Sequence, residues 1–219
     1  MQPDFWHERW RSGQIGFHQA AVDPNLRRYW PRLGVPVGGR VFVPLCGKSL
    51  DLLWLRDAGH RVAGVELSPI ALEAFCLENG IAARRREIAP FELYEAENLD
   101  LFRGDFFALT PERLGPIAAV YDRAALIAWM PALRAPYVAH LAALTVPGCR
   151  TLLLTLEYLQ PQMSGPPFSV ASEEVVALYA PHYTIEELGR EDILAQEERL
   201  RSRGLTALTQ VCYQLVRKG

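Results

Sequence analysis

The turn at residues 44–49 constrains the fold of this chain more than any other feature. Pro44-Leu45-Cys46-Gly47-Lys48-Ser49 closes residues 41–45, a short apolar run of strand length. Helical spacing follows at once in Leu50, Leu53 and Trp54. Ser49 is the expected N-cap, Asp51 sits in the first turn, and Gly59 lies past the last apolar position. Residues 61–66 (Arg-Val-Ala-Gly-Val-Glu) read as a second strand. Ser68-Pro69 then supplies an N-cap followed by proline at the first helical position. Leu72, Phe75 and Cys76 form an apolar face, and Asn79-Gly80 stops the helix. Strand, helix, strand, helix within about 40 residues is the pattern of parallel βαβ units.

The pattern continues more weakly. Residues 91–94 and 99–102 read as strands around an acidic turn, and residues 104–107 as a loop. Residues 117–121 are another apolar strand, ending at Asp122-Arg123. A helix is expected over 131–144, a core strand over 150–156, and a Pro- and Gly-rich loop over 160–167. Residues 173–179 read as helix, 183–188 as strand, 191–203 as a charged stretch and 207–216 as a final strand. Ahead of all this lies an arm with Phe5, Trp6, Trp10, Phe17, Tyr29 and Trp30, broken at Gly13, Gly16 and Asp23-Pro24. On a helix Trp6 and Trp10 share a face. The chain of 219 residues therefore reads as one α/β domain, with residues 1–38 as arm and 39–219 as core, a parallel centre and an antiparallel end.

Charge excludes two partner classes. Lys plus Arg is 23 and Asp plus Glu is 25, a net charge of -2, so neither nucleic acid nor an anionic membrane is expected. No apolar run is long enough to span a bilayer, and the first residues lack a signal-peptide pattern. Cys46, Cys76, Cys149 and Cys212 are far apart, without zinc spacing. They read as four reduced thiols of a cytoplasmic protein, with a monomer the simplest assembly.

In open α/β sheets, ligands bind outside the carboxyl ends of the strands near the switch point. Gly47-Lys48-Ser49 looks like the tail of a P-loop, but that motif needs a first glycine where this chain has Phe42. The GxGxxG fingerprint is absent as well. Glu66 ends the second strand about 20 residues past the glycine turn, where an acid accepts hydrogen bonds from ribose hydroxyls and disfavours a 2′-phosphate. The plainer reading is an exposed strand-end carboxylate. Asp105 can accept from an exocyclic adenine amine while Phe106 covers the ring, or the pair is an ordinary turn. Arg123 can hold a carboxylate bidentately, or form a structural salt bridge. Together the strand ends suggest a nucleoside ligand bearing a carboxylate. Without a second phosphate-binding glycine, S-adenosylmethionine fits better than NAD. Aromatic faces such as Trp10 would attract its sulfonium, unless they are plain core.

These residues also resemble those of a known family. Phe5-Trp6 through Trp10, Gly16-Phe17-His18-Gln19, and residues 41–53 (Val-Phe-Val-Pro-Leu-Cys-Gly-Lys-Ser-Leu-Asp-Leu-Leu) carry the resemblance. So do Gly59-His60, residues 64–68 (Gly-Val-Glu-Leu-Ser), 121–126 (Tyr-Asp-Arg-Ala-Ala-Leu) and 165–170 (Gly-Pro-Pro-Phe-Ser-Val). Over nearly its whole length the chain resembles the thiopurine S-methyltransferases, in particular the bacterial branch. The resemblance implies a class I S-adenosylmethionine-dependent methyltransferase fold. That is a Rossmann-like, seven-stranded, mostly parallel sheet with helices on both faces and one antiparallel strand near the C-terminus. It implies S-adenosyl-L-methionine as methyl donor, S-adenosyl-L-homocysteine as product, and a small thiol or chalcogen compound as acceptor, in a detoxifying role. Bacterial members are associated with selenium and tellurium species too, so a methyltransferase dedicated to those metalloids is an alternative. By motif, Trp10, Leu45, Glu66 and Arg123 take cofactor positions, and Asp105 and Phe106 fall where adenine is held. Phe17 and Arg199 fall near the acceptor, with Arg199 in a variable charged stretch.

The expected chemistry is an in-line displacement by a thiolate, steadied by Arg123 and Arg199, with no dedicated base. His18 is expected to be a hydrogen-bonded structural residue. The aromatic arm is expected to close over the cofactor as a lid. Two rival readings remain open at this level. One is an NAD-dependent oxidoreductase, which the single-glycine turn disfavours. The other is a non-catalytic toxin binder using the four cysteines, which their spacing does not support.

Overall fold

β1 (Arg40–Val43) lies inside a nine-stranded sheet and marks its switch point. In the computed structural model, which describes residues 3–219, β2 (Arg61–Glu66) pairs with it on one side and β6 (Ala119–Arg123) on the other, both parallel. β5 (Leu99–Arg103) extends the parallel set beyond β2, and β7 (Arg150–Glu157) beyond β6. β9 (Thr209–Arg217) runs antiparallel to β7, and β8 (Tyr183–Asp192) completes that edge. Counting β5, β2, β1, β6, β7, β9 and β8 gives the expected mostly parallel sheet with its antiparallel strand near the C-terminus.

The expected count of seven strands is corrected to nine by a hairpin at the other edge. β3 (Arg84–Ile88) and β4 (Phe91–Ala96) add antiparallel to β5. β4 and β5 correspond to the two strands read from the sequence, but β3 has no apolar alternation, because four of its five residues are exposed. Its arginines blunt a free sheet edge against pairing with other chains.

Side chains alternate between two apolar layers, as strand geometry requires. Phe42, Ala63, Val120 and Leu153 face a layer that contains α6 (Pro131–Leu144) and α7 (Ser172–Tyr179). Val41, Val43, Tyr121 and Leu152 face the opposite layer, with α3 (Asp51–Asp57) and α4 (Pro69–Glu78). Helices therefore cover both faces, as expected. The caps differ in detail. Leu50, not Ser49, is the N-cap of α3, while the Ser49 hydroxyl accepts from the Asp51 N–H at 3.2 Å. Ser68 caps α4 by backbone conformation alone.

The N-terminal arm is not one unit. α2 (Pro24–Tyr29) and the 3-10 turn Trp30–Leu33 place Leu26, Tyr29, Trp30 and Leu33 in the second apolar layer. Trp30 Nε1 donates to His60 Nε2 at 3.0 Å, which satisfies the indole N–H in the interior. This half is permanent core, which corrects the expectation of a lid spanning the whole arm. Only α1 (Pro3–Arg11) and the loop after it lie over the carboxyl edge of the sheet.

Candidate active site

A cavity of about 440 Å³ opens at the carboxyl ends of the strands. That is within the usual size range for small-molecule sites, and it lies where open α/β sheets bind ligands. Trp10, Phe17, Leu45, Glu66, Asp105, Phe106, Arg123 and Arg199 all line it. The structure thus brings every sequence-derived candidate to one place.

Its floor is the turn after β1. Leu45 has φ 47° and Gly47 has φ 54°, so the chain bends through the left-handed region twice in three residues. For a leucine this is uncommon and costs about 1 kcal/mol or more. The turn is fastened to the neighbouring strand end. The Cys46 N–H donates to Val65 O at 2.9 Å, and the Gly47 N–H to Glu66 Oε2 at 3.0 Å. The other oxygen of Glu66 accepts the Ser68 N–H at 2.8 Å. Glu66 is 7% exposed. Burial pushes its carboxyl up to about 7, against the opposing pull of the backbone N–H groups. A buried acceptor pair aimed at the floor of a cavity is suited to hydroxyl donors. The reading of Glu66 as merely an exposed strand end is therefore set aside.

The loop after β5 differs from expectation. Asp105 caps a 3-10 turn, its Oδ1 accepting from the Phe107 N–H at 3.0 Å. The Phe106 ring is buried, stacked on Phe42 at 6.4 Å and against Tyr137 at 4.9 Å. It builds the wall from behind and does not offer a free face. Phe107 is the ring that is open on this loop, and it also lines the cavity. The 3-10 turn advances each side chain by about a third of a revolution, so the choice between adjacent phenylalanines depends on where the turn starts.

Arg123 also departs from the simple picture. Its Nε lies 3.0 Å from Asp23 Oδ2 and its Nη1 lies 3.8 Å from Asp51 Oδ2. Asp51 further accepts from the Asp23 N–H at 2.8 Å and from the Tyr121 hydroxyl at 3.1 Å. Burial raises the Asp51 carboxyl, with the Arg123 charge acting against that. Arg123 is therefore an already paired cation that pins the root of the arm to the sheet, as well as a cavity residue. The structural salt bridge, the alternative reading of Arg123, is thus present, and the residue lines the cavity as well. Asp23 read only as a break before Pro24, and Asp51 only as a first-turn acid; no local pattern announces that the fold joins them. The next residue, Ala124, has φ 63°, a second left-handed non-glycine at a strand end.

Arg199, on the short helix α8 (Glu198–Arg201), is the contrasting cation. It makes no ion pair among the described residues. Burial, with Arg203 and Arg9 nearby and Glu197 opposing, lowers its pKa. Its guanidinium lies flat on Gly16, where an added Cβ would come within 2.0 Å of Nη1. Phe17 beside it packs edge-on against Trp6 and Trp10, at 5.6 and 5.5 Å. His18 lines the cavity too, and its ring has no hydrogen bond among the described residues, contrary to the structural role expected. Burial and the Lys48 charge lower its pKa.

The far wall combines part of the Pro- and Gly-rich loop over 160–167 with residues that the sequence did not single out. Ile127, Ala128 and Trp129 follow β6, and Pro166 and Pro167 follow β7. One end of the cavity is thus polar and hydroxyl-accepting, over β1 and β2. The other is apolar, over β6 and β7, and Arg9 and Arg199, neither in an ion pair among the described residues, line the same cavity.

The model of one protein family, described as thiopurine S-methyltransferase, matches residues 1–218. The chain belongs to the thiopurine S-methyltransferase family. A thiopurine S-methyltransferase of Pseudomonas fluorescens (strain Pf0-1) is 48% identical over 98% of this chain and 99% of its own. One from Methylococcus capsulatus (strain ATCC 33009 / NCIMB 11132 / Bath) is 48% identical over 98% of this chain and 97% of its own. Among solved structures, the fold is similar to that of a SAM-dependent methyltransferase from Anabaena variabilis ATCC 29413. There the TM-score is 0.66 at 16% identity, covering 99% of this chain and 95% of the other. It is also similar to 1,6-didemethyltoxoflavin-N1-methyltransferase from Burkholderia thailandensis, solved with S-adenosylhomocysteine. That match has TM-score 0.64 at 17% identity, covering 99% of this chain and 87% of the other. No described helix is long and apolar enough to cross a membrane.

Proposed function

We propose that this member of the thiopurine S-methyltransferase family transfers the methyl group of S-adenosyl-L-methionine to the sulfur of thiopurines and related aromatic or heterocyclic thiols. One observation carries the reading. A buried carboxylate suited to ribose hydroxyls and an unpaired guanidinium beside aromatic rings line the same cavity.

S-adenosyl-L-methionine supplies an electrophilic methyl on a sulfonium whose leaving group is neutral, so no acid need assist departure. The residues present fit it. Glu66 would take the ribose hydroxyls, Asp105 and Phe107 the base, and Trp10, which lies against Gly47, would face the sulfonium. The chain's remaining task is alignment and exclusion of water. Phe17, Trp129 and the Pro166-Pro167 segment give the acceptor apolar, planar walls. Arg199 favours the thiolate, the form that attacks. Aryl thiols are more acidic than the cysteine reference of about 8.5, so that help suffices without a base. His18 is not needed as one.

α1 and its loop would act as the movable part of the arm, pinned at Asp23. We expect trypsin to cut after Arg9 or Arg11 more slowly when S-adenosylhomocysteine is bound. Equal rates with and without it would remove the lid. Gly16→Ala is expected to push the Arg199 guanidinium aside while leaving the fold intact, since the clash is with the end of a flexible side chain. Turnover of 6-mercaptopurine (kcat/KM) should fall by about tenfold with an unchanged melting temperature. An unaffected kcat/KM would mean that Arg199 is not held there for the acceptor.

The reading extends to a cytoplasmic monomer, in keeping with four unpaired thiols, three of them buried. Calorimetric titration with S-adenosylmethionine, with NADH as control, tests the cofactor. Methylation of 6-mercaptopurine, thiophenol, selenite and tellurite then tests the acceptor. Binding of NADH alone would overturn the proposal. Turnover of selenite or tellurite without any thiol would replace it by a metalloid methyltransferase.

A further inference from the structure

We propose that Arg134 is a positioning residue for the methyl acceptor, acting through the two loops that wall the apolar half of the cavity. The inference rests on the reading that this half, over β6 and β7, takes the acceptor. Arg134 stands on α6, is 1% exposed, and does not itself line the cavity.

Its partners all lead to that wall. Arg134 Nε donates to the Trp129 carbonyl at 3.1 Å, and Trp129 is a cavity residue of the loop after β6. Nη1 donates to both carboxylate oxygens of Glu174 on α7, at 2.7 and 2.6 Å. The guanidinium lies over the Phe168 ring at 5.9 Å. Phe168 directly follows Pro166 and Pro167, and its N–H donates to the Ile127 carbonyl at 2.7 Å. One buried cation thus fastens the loop after β6 to the loop after β7 and to the helix that follows. None of its polar partners belongs to the turn at Leu45–Gly47, to Glu66 or to Asp105.

The chemistry of the group points the same way. A buried ion pair is a poor way to gain stability, because an apolar side chain of similar volume does as well or better. Here Nη2 also has no partner among the described residues, a further cost. What a guanidinium provides and an apolar chain does not is a rigid fork with a flat face. It can hold a carbonyl, a carboxylate and a ring in one fixed relation. Costs of that kind persist where geometry is needed for function.

Arg134→Lys tests this in the full chain. The lysine keeps a charge for Glu174 but cannot also hold the Trp129 carbonyl and cover Phe168. The KM for 6-mercaptopurine should rise by about tenfold, with kcat within about threefold and the calorimetric Kd for S-adenosylhomocysteine within about twofold. A residue that merely supports the fold would not separate these quantities. A folded Arg134→Lys protein with unchanged KM would overturn the proposal, as would KM and Kd rising together. Should Arg134→Lys not fold, Glu174→Gln keeps the arginine and its ring contact. It should raise KM by about threefold with the same unchanged Kd, and an unaltered KM there would count against the proposal equally. A wild-type protein that binds S-adenosylhomocysteine yet methylates no thiol would overturn both this inference and the reading beneath it.

Discussion

Glu66→Ala is expected to lower the affinity for S-adenosylmethionine by about 100-fold or more, the loss of two hydrogen bonds to a charged acceptor. The pH dependence of the wild-type protein sharpens the test. Burial holds the Glu66 carboxyl at about 7, far above the ordinary 4.5. Hydroxyl donors prefer the ionised form, so binding would release a proton. The Kd should therefore rise about tenfold for each pH unit below 7, and Glu66→Ala should abolish that slope. The stability of the ligand-free protein should move the opposite way. The folded state keeps this proton up to about pH 7, and the unfolded chain gives it up near 4.5. The associated stability is fully present below 4.5 and is lost as pH rises through 7, on the order of 3 kcal/mol. Asp122, buried and raised to about 6, contributes in the same direction. Acidification from pH 8 to 6 should thus raise the melting temperature of the ligand-free protein while weakening cofactor binding. A Kd that is flat over this range, or affinity and stability rising together, would exclude Glu66 as the ribose acceptor.

Glu66 was legible because the features that place it are local. An apolar run, a glycine turn, a capped helix and a second apolar run fix a parallel pair, and the carboxyl ends of such pairs are binding edges. The same reasoning located Asp105 and Arg123, whereas Leu45 came from the family resemblance. It could not tell Phe106 from Phe107, because a 3-10 turn beginning one residue earlier would exchange the buried ring for the open one. β3 was invisible for another reason. Arg84, Arg85 and Arg86 form a strand because β4 offers them backbone partners, not because their side chains alternate. The partners of Arg123 come from the arm and from the start of α3, and Arg134 reaches from α6 to α7. Pairings of this length depend on how the layers close, and a single sequence carries no periodic sign of them. The arm misled for a related reason. Its aromatic density is continuous from Phe5 to Trp30, yet the last third is packed core and the first third is cavity cover.

Arg199 and Arg123, two of the three arginines that line the cavity, should separate cleanly when each is removed. Arg199 has no ion-pair partner among the described residues, so Arg199→Ala strands no buried carboxylate. Its melting temperature should stay close to wild type, and its affinity for S-adenosylhomocysteine should be unchanged. Its kcat/KM for an anionic thiol should fall by about 100-fold, because the thiolate loses a partly desolvated counter-charge. Arg123→Ala should behave in the reverse order. It leaves Asp23 and Asp51, each almost fully buried, facing each other without their cation. Removing one partner of a buried pair costs about 3–5 kcal/mol, which for a chain of this size lowers the melting temperature by roughly 10 °C. The root of the arm would come loose with it, so cleavage after Arg9 or Arg11 should accelerate even with S-adenosylhomocysteine present. Thermal melts, calorimetry and limited proteolysis on the two variants decide the matter. An Arg123→Ala protein as stable as wild type would mean that the pin to Asp23 and Asp51 contributes nothing. An Arg199→Ala protein with intact kcat/KM would mean that Arg199 is not the cation that favours the thiolate, leaving Arg9 and the already paired Arg123 as the other arginines that line the cavity.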